Sequence, residues 1–386
     1  MSVFDKLDSI LLSTIAMDLS EEKKIDCIVF AKNYGFAKRF LMQKNEIEIV
    51  KYFHFISAFG VRVNKDSLIN LANCSYIDYV SSEAKVTSLM EKSKKILRVD
   101  TLHSAGVLGK NVGICYIDTG ISPHLDFTLA CNRISGFVDL VHGRKNAYDD
   151  NGHGTSVAGA GSGSGLRSNG RFCGIAPLSN IFSIKALDNK GETGAMRILQ
   201  AMEWVYNNHV TCGIKVVCMS FGSEPIGVLD PIMQGAESLW NDGVCVVAAA
   251  GNSGPNFGTV KSPAVSRKII SVGGLDDGRS SNKTPKIADF SSRGPAFGRM
   301  KPDVIAPAVN INSCSLDKKI PYSQSSGTSI ATPMVAGLAC LLLEKNPNLP
   351  PDGVKRIITS SASPIVFSKM EEGYGLPSAE KCFVFN

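Results

Sequence analysis

The chain has 386 residues, of which 44% are hydrophobic and 20% are charged, and its formal net charge is +6. This composition is typical of a globular protein and excludes a chain that stays disordered for lack of apolar residues. Because the sequence contains no run of five basic residues, no basic helix and no stretch of 18 apolar residues, it predicts neither a nucleic-acid partner nor a membrane span.

The N-terminus and the cysteines both indicate where the protein works. Met1–Asp8 lacks the basic-then-apolar order of a secretory signal. The eleven cysteines are an odd number without Cys-x-x-Cys spacing, and Cys115, Cys218, Cys245 and Cys340 lie inside apolar runs. We therefore expect reduced thiols, no structural disulfides and a cytoplasmic location, with nonclassical release as an alternative.

The first ninety residues predict a small α+β domain, which we place at residues 1–89. Strands are predicted over Ile25–Ala31 and Phe55–Val63, a helix over Lys65–Ala72 and a last strand over Ile77–Val80.

Two apolar runs in the second part of the chain, residues 90–386, predict buried parallel strands that end in polar residues. Val112–Ile117 leads into Asp118, and Gly243–Ala250 leads into Gly251-Asn252. Because the carboxyl ends of parallel strands share the edge at which open α/β sheets bind ligands, we expect these polar residues to converge there.

Two further stretches predict helices that begin at polar residues. His153 lies in Asn-Gly-His-Gly-Thr and precedes small residues that continue to Gly161. Ser329 precedes the apolar run Ile330–Leu343, which is too long for a typical strand and holds Pro333 in its first turn, where proline is tolerated. Unpaired N–H groups at both helix starts favour negative charge nearby.

These polar residues have the types that nucleophilic hydrolysis needs. A serine hydroxyl attacks a carbonyl well when an imidazole takes its proton and a carboxylate orients that imidazole, so Ser329, His153 and Asp118 are predicted to be catalytic. Asn252 and the backbone N–H of Ser329 are predicted to donate to the oxyanion. Each residue alone also suits a turn or a helix start, and only the four together indicate catalysis. Activity is expected to rise as His153 loses its proton, near its ordinary pKa of about 6.5.

Three other classes of protein fit the motifs less well. Lipases of the α/β-hydrolase fold carry their serine within Gly-x-Ser-x-Gly and before the acid and the histidine, whereas Ser329 comes last. Gly159–Gly165 is glycine-rich but lacks the lysine-serine pair of a phosphate loop and the acidic partner of a dinucleotide site. We interpret it as a loop that borders the substrate cleft, and the sequence predicts no cofactor.

The segments around the four residues resemble the subtilisin-like serine endopeptidases, the subtilases, from about Arg98 to the C-terminus. Gly174–Pro177, Phe290–Pro295 and Lys301–Pro307 also resemble family segments, in family order. The resemblance implies a three-layer α/β fold with a mostly parallel central sheet, an intracellular bacterial type, and hydrolysis of peptide bonds through an acyl-enzyme. A catalytically silent, peptide-binding or regulatory relative is the alternative.

The N-terminal domain resembles the inhibitor-type propeptides of subtilases through Phe59-Gly60-Val61, Tyr79-Val80 and its position. The resemblance implies a domain that assists folding, inhibits the peptidase intramolecularly and leaves its tail, Ser81–Leu89, in the cleft. Self-cleavage of this zymogen is then expected near Leu89 and Met90. A permanent N-terminal domain is the alternative.

The resemblance also implies where a protein or peptide substrate binds. Two segments are expected to offer exposed backbone to an extended peptide, namely Ser220-Phe221-Gly222 and Ala248-Ala249-Ala250-Gly251. The wall formed by Gly222 and the alanines is expected to admit a large apolar residue on the acyl side of the cut. Lys261, near the floor of that pocket, is expected to point to solvent, whereas an inward orientation would attract acidic or polar side chains. Pro263 is a candidate for a cis bond.

The sequence departs from the family pattern near the predicted catalytic residues and in a loop that binds calcium in some relatives. Ser156 and Ile330 stand where many relatives carry histidine and methionine, and neither change is expected to abolish activity. Some relatives bind calcium in a loop after the histidine helix, but residues 162–171 contain no carboxylate. The sequence therefore predicts no metal site, and Asp126 and His124 are expected to be structural.

Overall fold

The computed structural model describes residues 6–7, 9–16, 24–54, 57–82, 97–227, 229–278, 284–317, 319–366 and 368–384. The chain divides into two compact units, Met1–Thr87 and Ser88–Asn386. The predicted cleavage residues Leu89 and Met90 lie outside the described residues, as does most of the predicted tail.

The N-terminal unit is built on a four-stranded antiparallel sheet with the order β2-β3-β1-β4. Its elements in chain order are α1 Ser9–Ala16, β1 Ile25–Ala31, α2 Tyr34–Met42, β2 Glu48–Phe53, β3 Ala58–Val63, α3 Lys65–Asn73 and β4 Ile77–Ser82. Asn33 and Asn64 begin α2 and α3 by accepting backbone N–H groups with their side chains. Phe59, Val61 and Val63 alternate along β3 and are buried, so β3 contributes one face to the core of this unit.

The three predicted strands and the predicted helix of this unit are present, although β3 begins at Ala58 and residues 55–56 lie outside the described part. Helices α1 and α2 and strand β2 were not predicted from the sequence. Strand β2 has no buried residue, so it lacks the apolar alternation by which strands are recognised.

The second unit is built on an eight-stranded sheet that is parallel except for the short antiparallel pair β10–β11. The strand order is β11-β10-β9-β8-β5-β7-β6, and β12 pairs with β10. The strands are β5 Gly113–Asp118, β6 Ile134–Asp139, β7 Asn180–Lys185, β8 Ile214–Met219, β9 Cys245–Ala249, β10 Ile270–Asp276, β11 Lys286–Ile287 and β12 Val304–Pro307, and a separate hairpin comprises β13 Ile311–Cys314 and β14 Tyr322–Ser325. Every residue of β5 and β9 is buried, which explains why both read as continuous apolar runs.

Helices pack against this sheet in two groups. The helices are α4 Asp100–Ser104, α5 Leu125–Thr128, α6 His153–Ser162, α7 Ala195–Cys212, α8 Pro231–Asn241, α9 Thr328–Lys345, α10 Pro351–Ser361, α11 Lys369–Glu372 and α12 Ala379–Val384. Helix α9 lies along β8, β9 and β10 and packs against α6, whereas α7 and α8 pack against each other. The predicted α/β fold with a mostly parallel sheet is therefore confirmed, as is the small antiparallel sheet that precedes it.

Helix α9 is the most apolar of the helices that pack against the parallel sheet. Among the helices that the structure describes, it is the one whose length and hydropathy would suit a membrane span, but 83% of that window is buried inside the protein. Such burial is typical of the core helix of a globular domain. None of the eleven cysteines, all of which the structure describes, forms a disulfide, and seven of them are buried in this unit.

Candidate active site

Asp118 is the last residue of β5 and is 1% exposed. The backbone N–H of Thr119 donates to its Oδ1 at 2.7 Å, which fixes the carboxylate at the carboxyl edge of the sheet. The chain then turns at Gly120, whose φ of +117° favours glycine and whose position allows close approach to the backbone of Tyr148.

His153 begins α6 beside this carboxylate. Its Nδ1 lies 2.8 Å from Asp118 Oδ1, and its side chain is 34% exposed. The pKa of His153 is raised above its ordinary value, chiefly by the charge of Asp118; burial opposes this rise, and the hydrogen bond to Asp118 adds to it. The ring therefore has a fixed orientation and a stabilised imidazolium form.

Asn252 and Ser329 lie together at the same edge. Asn252 follows β9, and its Oδ1 accepts both the backbone N–H and the hydroxyl of Thr328 at 2.9 Å. A Cβ atom placed on Gly327 would lie 3.0 Å from Ser329 Oγ and 3.3 Å from Asn252 Nδ2, so the hydroxyl and the amide nitrogen face the same space. Thr328 thereby orients the amide of Asn252 with its nitrogen towards the nucleophile.

Further contacts connect the parts of the site. The Ser220 hydroxyl donates to the backbone carbonyl of Ser329 at 2.8 Å, and the Gly251 N–H donates to Thr328 Oγ1 at 3.3 Å. Since β5 and β9 are parallel members of one sheet and α6 packs against α9, the four predicted polar residues lie at one edge. A hydroxyl, an imidazole, a carboxylate and an amide in this arrangement can perform acyl transfer.

Comparisons with known proteins agree with this chemistry. A sequence profile of the Subtilase family matches residues 109–376. The chain belongs to the subtilase family. It is 35% identical over 370 residues to "Serine protease AprX" of Bacillus subtilis, a match that covers 88% of this chain and 83% of that protein. It is 34% identical over 279 residues to "Subtilisin Savinase" of Lederbergia lenta, covering 72% of this chain and 93% of that protein.

Solved structures show the same relationship. A cold-adapted subtilisin-like serine proteinase is 29% identical with a TM-score of 0.58, and the match covers 70% of this chain and 90% of that one. "Sphericase" is 27% identical with a TM-score of 0.61, covering 70% and 92%. The subtilase described here is thus a subtilisin-like serine protease, and a peptide is its substrate class.

The two segments predicted to bind the substrate differ in exposure. Gly222 is exposed, and Phe221 and Gly222 line a cavity of about 570 Å³ together with Glu192 and Ile198. The prediction of exposed backbone was wrong for Ser220 of the first segment and for Ala248, Ala249 and Ala250 of the second, all of which are buried. Ala248 and Ala249 pair with neighbouring strands of the sheet, and Ala250 donates to Val272 O and accepts the N–H of Lys261.

The prediction that Lys261 points to solvent was wrong for its stem, whereas its ammonium lies at the surface. Its side chain is 15% exposed, and its ammonium forms an ion pair with Glu224, which is 80% exposed. A Cβ atom placed on Gly222 would lie 2.6 Å from Lys261 Cβ, and one placed on Gly251 would lie 2.6 Å from Lys261 Cγ. The lysine stem therefore fills the slot between these two glycines, since neither has a side chain to exclude it. The predicted cis bond at Ser262–Pro263 is confirmed.

His124, Asp126 and Cys314 place possible metal ligand atoms within 4.8 Å of one another, but their atoms already bond to the protein. His124 Nδ1 accepts the N–H of Asp126. The Asp126 carboxylate accepts the N–H groups of Gly165 (2.9 Å) and Arg167 (3.2 Å) and the hydroxyl of Tyr322 (2.8 Å). We interpret this cluster as the anchor of the 162–171 loop.

Sequence reasoning missed several residues that hold the site. Thr328 orients Asn252, Thr119 contacts Asp118, and Asp149 accepts bonds from the start of α6. Thr328 and Thr119 lie directly beside predicted catalytic residues, which was the available signal, whereas Asp149 lies four residues before His153. Lys185, which is buried, has no such signal, because only its register opposite Asp118 brings it near the site.

Proposed function

We propose that this subtilase is an endopeptidase, which cleaves peptide bonds in the interior of a protein substrate, with Ser329 as the nucleophile. His153 takes the hydroxyl proton as Ser329 Oγ attacks the peptide carbonyl carbon, and Asp118 stabilises the imidazolium that forms. Asn252 Nδ2 and the backbone N–H of Ser329 donate to the oxyanion. The imidazolium then protonates the leaving amine, and a water molecule deprotonated by His153 hydrolyses the acyl-enzyme.

The bond between Asp118 and His153 is the observation that carries this proposal. It joins residues 35 positions apart in the chain at 2.8 Å, with the carboxylate almost completely buried. A buried carboxylate on Nδ1 sets the tautomer and turns Nε2 away from Asp118, as proton transfer to and from a serine hydroxyl requires.

A fluorophosphonate probe tests the proposal without a known substrate. We expect wild-type protein to react covalently, with the label on the Ser329 peptide after mapping. Ser329→Ala should not react, whereas Ser326→Ala, a serine of the same loop, should react like the wild type. Equal labelling of wild type and Ser329→Ala, or labelling elsewhere, would contradict the assignment of the nucleophile.

We further infer that the N-terminal unit is an intramolecular inhibitor and folding aid that the protease removes near Leu89 and Met90. The match to AprX covers 88% of this chain, whereas the part that begins at residue 97 makes up only about three quarters of it. The match therefore extends into the N-terminal unit, which supports an N-terminal part that the two proteins share. The match to Savinase covers 93% of that protein but only 72% of this chain. A protease can thus match without the remaining quarter of this chain, which supports an N-terminal unit that is separable from the peptidase.

Intact-mass measurement of purified wild type and Ser329→Ala tests self-processing. The wild type should lose about the mass of residues 1–89, and Ser329→Ala should keep its full mass. Adding a trace of wild type to Ser329→Ala separates cleavage between molecules from cleavage within one. A wild-type protein that is active at full mass would show instead that the N-terminal unit is permanent.

We also infer that the protease works in a reducing compartment, the cytoplasm. Eleven cysteines outside disulfides, most of them buried, suit a compartment that keeps cysteines reduced. Fractionation of the producing cell with an antibody against the peptidase unit tests this location. Recovery mainly from the culture medium of intact cells would contradict it.

A further inference from the structure

Asp149 accepts hydrogen bonds from both segments that hold the catalytic pair. Its Oδ1 accepts the backbone N–H groups of Asn151 (3.1 Å) and Gly152 (2.9 Å) and the hydroxyl of Thr119 (3.0 Å). Its Oδ2 accepts the backbone N–H (2.9 Å) and the hydroxyl (2.6 Å) of Thr155. One carboxylate is thus bonded to the turn after β5 and to the first turn of α6.

Thr119 extends this connection to both members of the pair. Its backbone N–H donates to Asp118 Oδ1 at 2.7 Å, and its Oγ1 accepts the N–H of Gly154, the residue after His153, at 2.9 Å. Through Thr119, Asp149 is therefore connected to Asp118, which accepts the catalytic hydrogen bond. It is also connected to the backbone beside His153, which donates that bond. A change at Asp149 should alter the distance and the angle between the carboxylate and the imidazole.

Asp149 also contributes negative charge near the ring. Burial raises the pKa of Asp149, but the bonds from Gly152 and Thr155 outweigh burial and hold the pKa below its ordinary value. Asp149 is therefore ionised at neutral pH. Its charge raises the pKa of His153 in the same direction as the larger effect of Asp118.

The other titratable groups near the pair do not duplicate this charge. Cys314 of β13 lines the cavity beside His153, and burial raises the pKa of its thiol well above the ordinary value. Burial likewise raises the pKa of Cys218 of β8, close to Asp118, so both thiols stay neutral. Lys185 of β7 and Asp150 form an ion pair at 2.6 Å, in which the two charges offset each other.

We propose that Asp149 is a positioning residue of the catalytic pair, which holds the imidazole of His153 against Asp118 and supplies a second negative charge that stabilises the imidazolium. This inference rests on the proposed function, because it concerns the same reaction at the same site. Asp149 acts through its neighbours, since its own oxygens bond to Thr119, Thr155 and the loop backbone.

The rate of fluorophosphonate labelling as a function of pH tests this role. The reaction needs neutral His153, so the midpoint of its acid limb reports the pKa of His153 in the free enzyme. Asp149→Asn should shift this midpoint to lower pH and reduce the plateau rate about tenfold to a hundredfold, since small misplacements of catalytic groups have effects of this size. Asp100→Asn, which removes an exposed carboxylate from α4, is the matched control and should keep both values.

Thr155→Val separates geometry from charge, because it keeps the Asp149 carboxylate but removes a donor to Oδ2. We expect a lower plateau with an unchanged midpoint. A folded Asp149→Asn protein with the wild-type midpoint would overturn the proposal. If Asp149→Asn fails to fold, Thr155→Val decides alone, and a wild-type plateau in that variant would overturn it.

These outcomes differ from those that bear on the proposed function. Failure of the wild type to react at any pH counts against catalysis by Ser329 itself. A reactive wild type with an unshifted Asp149→Asn midpoint counts only against the role of Asp149.

Discussion

Asp118 and His153 share a hydrogen bond of 2.8 Å whose acceptor oxygen, Asp118 Oδ1, also accepts the backbone N–H of Thr119. The carboxylate is therefore fixed by its own strand end before it orients the imidazole. Because Asp118 is buried, its charge acts on the ring with little screening by water. The sequence alone predicted the ordinary pKa for His153, and this contact explains why the pKa is raised instead.

The acid limb of the kcat/KM profile should therefore have its midpoint above pH 6.5. A raised pKa means that His153 stays protonated, and unable to act as a base, to a higher pH. Asp118→Asn should move the midpoint down and reduce kcat by about 10⁴, because the amide no longer holds the correct tautomer. A wild-type midpoint at or below pH 6.5 would contradict this electrostatic account.

Removal of the Asn252 amide should reduce turnover more than binding. Asn252→Ala is expected to lower kcat by about 10²–10³ with little change in KM, since the donor acts on charge that develops in the transition state. Thr328→Val, which loses the hydroxyl bond to Asn252 Oδ1, should have a smaller effect in the same direction. Thr328→Ser keeps that hydroxyl and is the matched control. A rise in KM at constant kcat would show that Asn252 binds the ground state instead.

Lys261 should determine which side chain fits on the acyl side of the cut. Lys261→Gly removes the stem between Gly222 and Gly251, so the selectivity for large apolar over acidic residues should rise about tenfold or more in a peptide library. Glu224→Gln frees the ammonium and should raise the preference for acidic residues. Lys286→Gly, which removes an exposed lysine paired with Asp289, is the control. An unchanged cleavage profile in Lys261→Gly would exclude this role.

The sequence predicted structure best at positions where the surroundings permit few residue types. Continuous apolar runs predicted β5 and β9, and the residues after them, Asp118 and Asn252, lie where parallel strands end. Orientation was not predictable in the same way. The stem of Lys261 is buried because two glycines lie opposite it. The antiparallel bridge between Ser223 and Ser262 brings Gly222 close to Lys261.

Exposure of the alanine segment illustrates a second limit. The resemblance to subtilases implied that Ala248–Ala250 form an exposed substrate wall. Their backbone is instead bonded to β8, β10 and Lys261, partners that lie up to 29 residues away along the chain. Hydrogen-bond partners at such separations are set by sheet topology, which local patterns do not encode.

Asp126 should stabilise the fold through the loop that it anchors. Asp126→Ala would leave the N–H groups of Gly165 and Arg167 and the hydroxyl of Tyr322 without their acceptor, so we expect a loss of about 2–4 kcal/mol in the free energy of unfolding. Denaturant unfolding of the Ser329→Ala background, which prevents self-digestion, measures this loss, with Asp100→Asn as the control. Since the Asp126 oxygens already accept protein donors, a calcium chelator should leave the Tm of the parent unchanged. A calcium-dependent Tm that Asp126→Ala abolishes would show that the cluster is a metal site.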